Sequence, residues 1–175
     1  GGADTLSTSL GFIPFGRGPP LVNPRDANPT ILAIDLPAVH LSVRMGRRLV
    51  QTFAQTAEIA DKEIDCLMLV ASELLANAAD HGGGGGAMQV EDLAKDVRMG
   101  LKLSWDGVTW TLSVEDGGAG DLAEAQASIE SEPVDVLAAL ESERGRGLFL
   151  VRDMCDRLEV HQGEYGLVFV AEKTL

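Results

Sequence analysis

The chain has 175 residues, a formal net charge of -13 at pH 7 and 45% hydrophobic residues. This length fits one domain that can bury roughly two thirds of the surface of its unfolded form. No apolar run reaches the roughly 18 residues that a membrane helix needs, so no membrane association is expected. The charge argues against DNA or RNA as a partner, because binding to phosphates depends on Lys and Arg. A neutral or basic protein partner is expected instead.

Cysteine usage and the start of the chain indicate a reducing compartment. Cys66 and Cys155 are the only cysteines, and each lies in an apolar helical pattern without metal-ligand spacing. We interpret both as reduced core residues. Residues 1–9 lack the basic segment and apolar stretch of a signal peptide. We therefore expect a cytoplasmic protein.

Two regions are predicted, a flexible N-terminal arm over 1–29 and a folded domain over 30–175. The arm is rich in Gly and Pro and shows no sustained periodicity. The domain opens with an alternating strand over 32–36, which Pro37 ends. Apolar residues then recur at helical spacing over 41–56, which predicts a first helix.

A hairpin follows, because Asp106-Gly107 is a strong two-residue turn signal between two alternating runs. The predicted register pairs Trp105 with Val108, Leu103 with Trp110, Leu101 with Leu112 and Met99 with Val114. Every pair is apolar, so one face of the hairpin is predicted to be core. Asp116 falls on the same face, where an unpaired carboxylate would be costly unless a polar group meets it.

The remaining pattern completes an α+β protein. The acidic segment 121–143 is predicted to be a mobile connection or lid, and a helix is predicted over 147–156. Residues 158–160 and 167–171 are predicted to pair as a closing hairpin around Gln162-Gly163. The predicted fold is a two-layer sandwich, with a mostly antiparallel sheet and helices on one face.

The first candidate for chemistry lies on a second helix, predicted from Asp61 to His81 and ended by the glycine run 82–86. Glu73 and Asn77 share one side of this helix at about 100° per residue. A partly desolvated carboxylate one turn from an amide oxygen suits activation of a hydroxyl beside hydrated Mg²⁺. The alternative is a solvated helix face, which is the commoner meaning of this spacing alone.

The second candidate is the segment Asp116-Gly117-Gly118-Ala119-Gly120. Its carboxylate can accept a hydrogen bond from the exocyclic amine of a purine, and its glycines allow backbone to approach the ring. In isolation the same segment is simply a turn at a strand end.

The third candidate is Gly145-Arg146-Gly147-Leu148 at the start of a helix. Arginine near a helix N-terminus is unfavourable unless an anion binds there, and phosphates would fit. The alternative is an arginine paired with Glu141 or Glu143 on the surface. The three segments together, in this order, predict an ATP site assembled without a Walker loop.

These motifs resemble those of the histidine-kinase-like ATPases of the GHKL superfamily. Residues 72–82, SELLANAADHG, are similar to the N box of that family, and residues 145–151, GRGLFLV, to its second glycine box. Within the superfamily the chain looks most like the small bacterial anti-sigma factor serine/threonine kinases. The resemblance covers about 30–173.

The resemblance implies a Bergerat-type fold and assigns roles to individual residues. Asn77 would hold Mg²⁺, Glu73 would act as general base toward a serine or threonine hydroxyl, and Asp116 would recognise adenine. The other residues expected around the nucleotide are Gly118, Gly120, Gly145, Arg146, Gly147 and Leu148. It also implies transfer of the γ-phosphoryl group of ATP to a small antagonist protein, binding of a sigma factor, and a possible homodimer.

One departure from the family keeps an alternative function open. A threonine often follows the glycine of the last strand in the family, whereas Leu167 follows Gly166 here, so one nucleotide contact is expected to be missing. The alternative is a nucleotide-binding anti-sigma factor or regulatory module without kinase activity. A third possibility, the catalytic part of a sensor histidine kinase, would require a phospho-accepting histidine on a helical pair, and His40 lacks that context.

Overall fold

The folded part of the chain begins with a strand whose side chains alternate between a buried and an exposed face. A computed structural model describes residues 28–81, 97–118, 120–130 and 143–175, without the side chains of 143–146. Strand β1 spans Thr30–Pro37, and its even-numbered apolar side chains turn toward the core. The predicted strand is confirmed, whereas nearly all of the predicted arm lies outside the described residues.

Two long helices follow, as predicted. Helix α1 spans His40–Thr56 and α2 spans Asp61–His81. His40 Nε2 lies 2.8 Å from Asp80 Oδ1, which ties the start of α1 to the end of α2. None of the helices in the described ranges is long and apolar enough to cross a membrane.

The sheet contains five strands in the order β1-β2-β3-β5-β4, and every neighbouring pair is antiparallel. The later strands are β2 (Arg98–Trp105), β3 (Thr109–Glu115), β4 (Arg157–Gln162) and β5 (Leu167–Thr174). Apolar side chains of one sheet face form a single core with those of the helices. The predicted α+β sandwich is therefore confirmed.

The predicted register of the β2-β3 hairpin is wrong by two residues. Trp105 pairs with Trp110, and the turn is centred on Gly107 and Val108. Gly107 has φ 96°, as the first central residue of a type II′ turn requires. The Asp106 carboxylate accepts the N–H groups of Val108 and Thr109, at 2.9 and 2.7 Å, and so stays outside the turn centre. A shift of two leaves every side chain on its predicted face.

The turn of the second hairpin is also displaced from its predicted position. Gln162 is the last paired residue of β4, and Gly163 N–H donates to Gly166 O at 2.7 Å. The turn therefore centres on Glu164 and Tyr165. The N–H of Tyr165 donates to Glu115 Oε1 at 2.8 Å, which fastens the hairpin tip to the end of β3.

Two helices differ from their predicted ranges. Helix α3 (Leu122–Glu130) occupies the first part of the segment predicted to be mobile, and residues 131–142 lie outside the described residues. Helix α4 spans Glu143–Met154, so it begins earlier than residue 147. It also ends before the predicted residue 156, because Asp156 N–H donates to Glu172 O of β5 at 2.9 Å.

The two cysteines are free thiols, as expected. Cys66 is 6% exposed within the core, whereas Cys155 is only partly buried. The core interpretation is confirmed for Cys66 and holds in part for Cys155.

The alternation of β2 gives a direct stability test. Leu103 is fully buried between Leu32 and Leu112, whereas Lys102 is exposed on the other sheet face. Leu103→Ala should lower the free energy of unfolding by about 2–5 kcal/mol in urea denaturation, because it removes packed methyl groups and leaves a cavity. Lys102→Ala should change it by less than about 0.5 kcal/mol. Equal losses in the two variants would contradict the assignment of the faces.

Candidate functional site

Asp116 is the buried carboxylate around which the candidate site is built. It follows directly on β3 and is 5% exposed. Its Oδ1 accepts the N–H groups of Gly118 at 3.0 Å and Leu167 at 2.9 Å, and its own N–H donates to Leu167 O at 3.0 Å. Backbone N–H groups thus supply the polar partners that a buried carboxylate needs, as the sequence analysis expected.

The second carboxylate oxygen of Asp116 is left for another partner. Among the described residues, no hydrogen bond to Oδ2 is formed. Oδ2 lies on the side of Gly120, where an added Cβ would be 3.8 Å from it. A buried acceptor in this position can receive a donor from a ligand.

Gly118 allows the turn after Asp116 to form. Its φ is +105°, a conformation that other residues rarely adopt. A Cβ at Gly118 would also collide with the backbone oxygen of Tyr165. Glycine at this position therefore lets the chain pass close to the tip of the second hairpin while donating to Asp116.

Asn77 and Asp116 line the same cavity, although they are distant in sequence. The space that they line measures about 370 Å³ when the solvent open to it is counted. Its lining residues are Asn77, His81, Asp116, Asp121, Glu124, Ala125, Ser128, Leu148 and Phe169. Asn77 makes no side-chain hydrogen bond within the described ranges, so its amide is available to a ligand.

Glu73 lies one turn before Asn77, at the contact between α2 and α4. It is not among the residues that line the cavity. A Cβ at Gly147 would overlap the Glu73 carboxylate, which shows how closely α4 approaches this side chain. Glu73 is half-buried and forms no ion pair or hydrogen bond with the described residues. Its carboxylate is therefore an acceptor beside the cavity without a partner among the described atoms.

Helix α3 forms a wall of the cavity that the sequence analysis missed. Three residues of the helix line the cavity, and so does the residue just before it. They are Glu124, Ala125, Ser128 and Asp121. The sequence carried a signal for this helix, since Asp followed three residues later by Glu is typical of a capped N-terminus. Glu124 N–H donates to Asp121 Oδ1 at 2.9 Å, as that signal predicts.

The other end of α3 is fastened to α4. Arg152 Nη1 donates to Ile129 O at 2.9 Å, so a cation meets a carbonyl of the last turn of α3, an arrangement that the helix dipole favours. With Asp121 at its start and Arg152 near its end, α3 is fixed over the cavity.

The structure explains the departure at Leu167. Its side chain is buried and lies beside Gly120, while its N–H donates to Asp116. The backbone of this position therefore supports the site, but the side chain offers a nucleotide no hydrogen bond.

The charged and polar groups of the cavity determine whether ATP and Mg²⁺ fit there. Asp116, Asp121 and Glu124 bring carboxylates to its lining, so a triphosphate there requires cations. No group of three potential metal ligands is found among the described residues. Mg²⁺ is commonly held by one or two protein oxygens together with substrate phosphates, so a Mg²⁺ site does not require such a group. Asp116 Oδ2 and the Asn77 amide, which have no partner among the described residues, fit such a ligand.

The structure describes only part of the predicted second glycine box, residues 145–151. Leu148 is buried and lines the cavity, and Gly147 meets Glu73. Gly145 and Arg146 belong to α4, but the side chain of Arg146 lies outside the described atoms. Its predicted contact with phosphate stays a prediction.

Comparison with known families identifies the domain. A family profile described as "Histidine kinase-like ATPase domain" matches residues 36–172, which include all of the candidate residues. The chain belongs to this family of ATP-binding domains. Its five-stranded antiparallel sheet with helices on one face agrees with the Bergerat-type fold expected of GHKL ATPases.

Two solved structures have a similar fold. One is the SiaB-SiaC complex from Pseudomonas aeruginosa, with 15% identity, a TM-score of 0.56, and coverage of 82% of this chain and 88% of that one. The other contains the RsbU and RsbW domains of Rv1364c from Mycobacterium tuberculosis, with 18% identity, a TM-score of 0.52, and coverage of 83% of this chain and 32% of that one. At these identities the similarity establishes the fold alone. No curated protein matches this chain significantly.

The two hydrogen bonds to Asp116 Oδ1 give a test of the site's architecture. Asp116→Ala would leave the N–H groups of Gly118 and Leu167 without their acceptor, at a cost of about 1–3 kcal/mol for each group that stays buried. Asp116→Asn keeps an oxygen that can accept both. We expect a clearly larger loss of unfolding free energy in denaturant titrations for Asp116→Ala, and equal losses would show that these bonds do not hold the site.

Proposed function

We propose that this chain is an ATP-dependent serine/threonine protein kinase that acts as an anti-sigma factor in a partner-switching system. It would phosphorylate a small antagonist protein and bind a sigma factor. The observation that carries the proposal is the convergence of Asn77 and Asp116 on one cavity, with Glu73 one turn from Asn77. Each of the two has a side-chain atom without a partner among the described residues.

The proposed adenine contact uses the free oxygen of Asp116. Oδ1 is occupied by two backbone N–H groups, so Oδ2 is the acceptor for the exocyclic amine of adenine. Leu148 and Phe169 supply apolar surface in the same cavity, which suits the faces of a purine ring. Gly118 and Gly120 keep side chains away from this part of the site.

The triphosphate would lie toward α2 and the start of α4. Asn77 would hold Mg²⁺ through its amide oxygen. The bound ion would offset the repulsion between the negative phosphates and the nearby carboxylates. The proposed phosphate cradle is the start of α4, with Gly145, Arg146 and Gly147, where N–H groups and a guanidinium favour anions.

Glu73 is the proposed general base. Its carboxylate would accept the proton of a substrate serine or threonine hydroxyl while that oxygen bonds to the γ-phosphorus of ATP and ADP leaves. Its half-buried position against Gly147 supports this role, because Gly147 belongs to the proposed phosphate cradle. Because phosphoryl transfer depends mainly on positioning and charge neutralisation, few other groups are needed.

The proposed partners draw support from the structural relatives. SiaB was solved in complex with SiaC, and the second relative carries an RsbW domain in one chain with RsbU. Both include a partner protein or partner domain. A small antagonist domain and a sigma factor are the partners proposed for this chain.

A second candidate function is a nucleotide-binding regulator without kinase activity. Two observations favour it: Leu167 gives the nucleotide no side-chain hydrogen bond, and Glu73 does not line the cavity. The two candidates differ in whether phosphate leaves ATP for a protein hydroxyl, and substitution of Glu73 separates them.

Asn77→Ala should abolish Mg²⁺-dependent ATP binding while the circular dichroism spectrum and unfolding midpoint stay close to wild type. The reason is loss of the only proposed protein oxygen on the ion. Isothermal titration calorimetry with and without Mg²⁺ measures the effect. Ser72→Ala on the same helix is the control, since Ser72 Oγ donates to Met68 O and is not among the cavity residues. Unchanged affinity in Asn77→Ala would refute the metal assignment.

Glu73→Gln should still bind ATP but transfer phosphate about 10²- to 10⁴-fold more slowly, as expected for loss of a general base. The measurement is transfer of labelled γ-phosphate to a candidate antagonist domain that carries a serine. Asp61→Asn, an exposed carboxylate on the same helix, should transfer at the wild-type rate. If wild-type protein binds ATP but transfers nothing, the regulator without kinase activity is favoured; full activity in Glu73→Gln would place the base elsewhere.

A further inference from the structure

The face of α2 that carries Glu73 continues toward the start of the helix as one wall of an open groove. Lys62, Cys66 and Leu69 line this groove, and they precede Glu73 by 11, 7 and 4 residues. At about 100° per residue, the four side chains lie within about 60° of one another around the helix. The proposed general base therefore lies one helical turn beyond the groove and on the same line.

Helix α4 forms the opposite wall and runs antiparallel to α2. Gly147 near its start meets Glu73, and at its end Cys66 Sγ donates to Met154 O at 3.7 Å. The α2-α4 groove, as we call it, is lined mainly by residues from 62–69 and 153–156. It measures about 1200 Å³ when the solvent open to it is counted. The groove thus leads away from the proposed base toward the far end of α4.

Apolar side chains are exposed along this path. Leu69 of α2 is 36% exposed and Leu150 of α4 is 37% exposed. Leu69 lies four residues before Glu73 and Leu150 three residues after Gly147, so both leucines are about one turn from the contact between the two helices. Farther along the groove, burial raises the pKa of the Cys155 thiol to about 12, so this side chain is neutral. Exposed apolar side chains beside a polar rim are typical of an interaction surface.

The rim of the α2-α4 groove is acidic. Asp65, Asp153 and Asp156 line the groove and are exposed. Among the described lining residues, four carboxylates outnumber two lysines, and one of these lysines, Lys173, lies 2.9 Å from Glu63. Asp65 and Asp153 have no ion-pair partner among the described residues. A positively charged segment would therefore be attracted to this rim.

We propose that the α2-α4 groove binds the part of the protein substrate that flanks the phosphorylated hydroxyl, and that this part is a basic segment with apolar residues. The inference rests on the proposed kinase function, because Glu73 as the base fixes where the hydroxyl lies. The aspartates of the rim attract Arg and Lys side chains. The exposed leucines favour apolar side chains close to the hydroxyl. An acidic segment would be repelled, so the groove selects among substrates.

The helix geometry also sets the spacing of the residues in the bound segment. Asp65 lies eight residues before Glu73, which corresponds to about 12 Å along α2. An extended segment covers about 3.3 Å per residue, so about four of its residues span that distance. The same arithmetic places Leu69 about two residues from the hydroxyl. Because every second side chain of an extended segment lies on one side, we expect an apolar residue about two positions, and Arg or Lys about four positions, from the hydroxyl.

Two fluorescein-labelled serine peptides test the groove by fluorescence polarisation. The basic peptide carries leucine two residues and arginine four residues from the serine on both sides, and the acidic peptide carries glutamate in place of each arginine. The wild type should bind the basic peptide about tenfold more tightly than the acidic one. Asp65→Lys/Asp153→Lys should reverse this preference, because the two substitutions change the sign of the charge on the rim.

A matched control separates the groove from the general attraction of an acidic protein for a basic peptide. Asp35 and Glu159 are exposed on the sheet face that points away from the helices. Asp35→Lys/Glu159→Lys makes the same change of net charge and should keep the preference of the wild type. The proposal is overturned if the wild type binds both peptides equally or neither, or if the groove variant and the control change the preference alike. Melting curves verify that each variant is folded.

The kinetics of phosphate transfer separate this inference from the kinase function itself. With the antagonist domain used to test Glu73, Asp65→Lys/Asp153→Lys should raise the KM for that domain about tenfold, with the KM for ATP unchanged. If the peptides bind as expected but the wild type transfers no phosphate, the groove is supported and the kinase function is contradicted. If transfer proceeds and the groove variant keeps the wild-type KM for the domain, the groove is overturned and the kinase function is supported.

Discussion

The carboxylate of Asp116 joins two parts of the protein that are far apart in sequence. Through one oxygen it binds the turn at Gly118 and the first residue of β5, and its N–H returns a bond to Leu167. The end of β3 and the start of β5 are thereby fixed at one edge of the cavity. Because both bonds fall on Oδ1, the second oxygen is left for a ligand.

The opposite side of the cavity depends on how closely α2 and α4 approach. Gly147 permits α4 to pass against Glu73, which brings the proposed base and the proposed phosphate cradle together. Helix α3, capped by Asp121 and bound by Arg152, adds the third wall. Three helices and two strand ends thus meet at a space that none of them could form alone.

The sequence predicted the parts of this arrangement that depend on periodicity. The alternation of β2 and β3 placed Asp116 on the core face, and that parity survived an incorrect register because the error was two residues. The position of the turn depends on hydrogen bonds from the N–H groups of Val108 and Thr109 to the Asp106 carboxylate. The dipeptide Asp106-Gly107 alone does not reveal these bonds.

Helix α3 carries a local signal in Asp121 and Glu124, but the acidic composition of its segment favours a mobile connection, and composition was a poorer guide than the cap. Other parts could not be predicted from local pattern. The hairpin tip at Tyr165 is held by Glu115, a contact across 50 residues that spacing alone cannot show.

The most direct test of the central claim is a crystal structure with Mg²⁺ and a non-hydrolysable ATP analogue. The exocyclic amine of adenine should lie about 3 Å from Asp116 Oδ2, and the Asn77 side-chain oxygen should lie about 2.1 Å from Mg²⁺. An analogue bound elsewhere, or an adenine amine that pairs with a different group while Asp116 Oδ2 faces water, would contradict the claim.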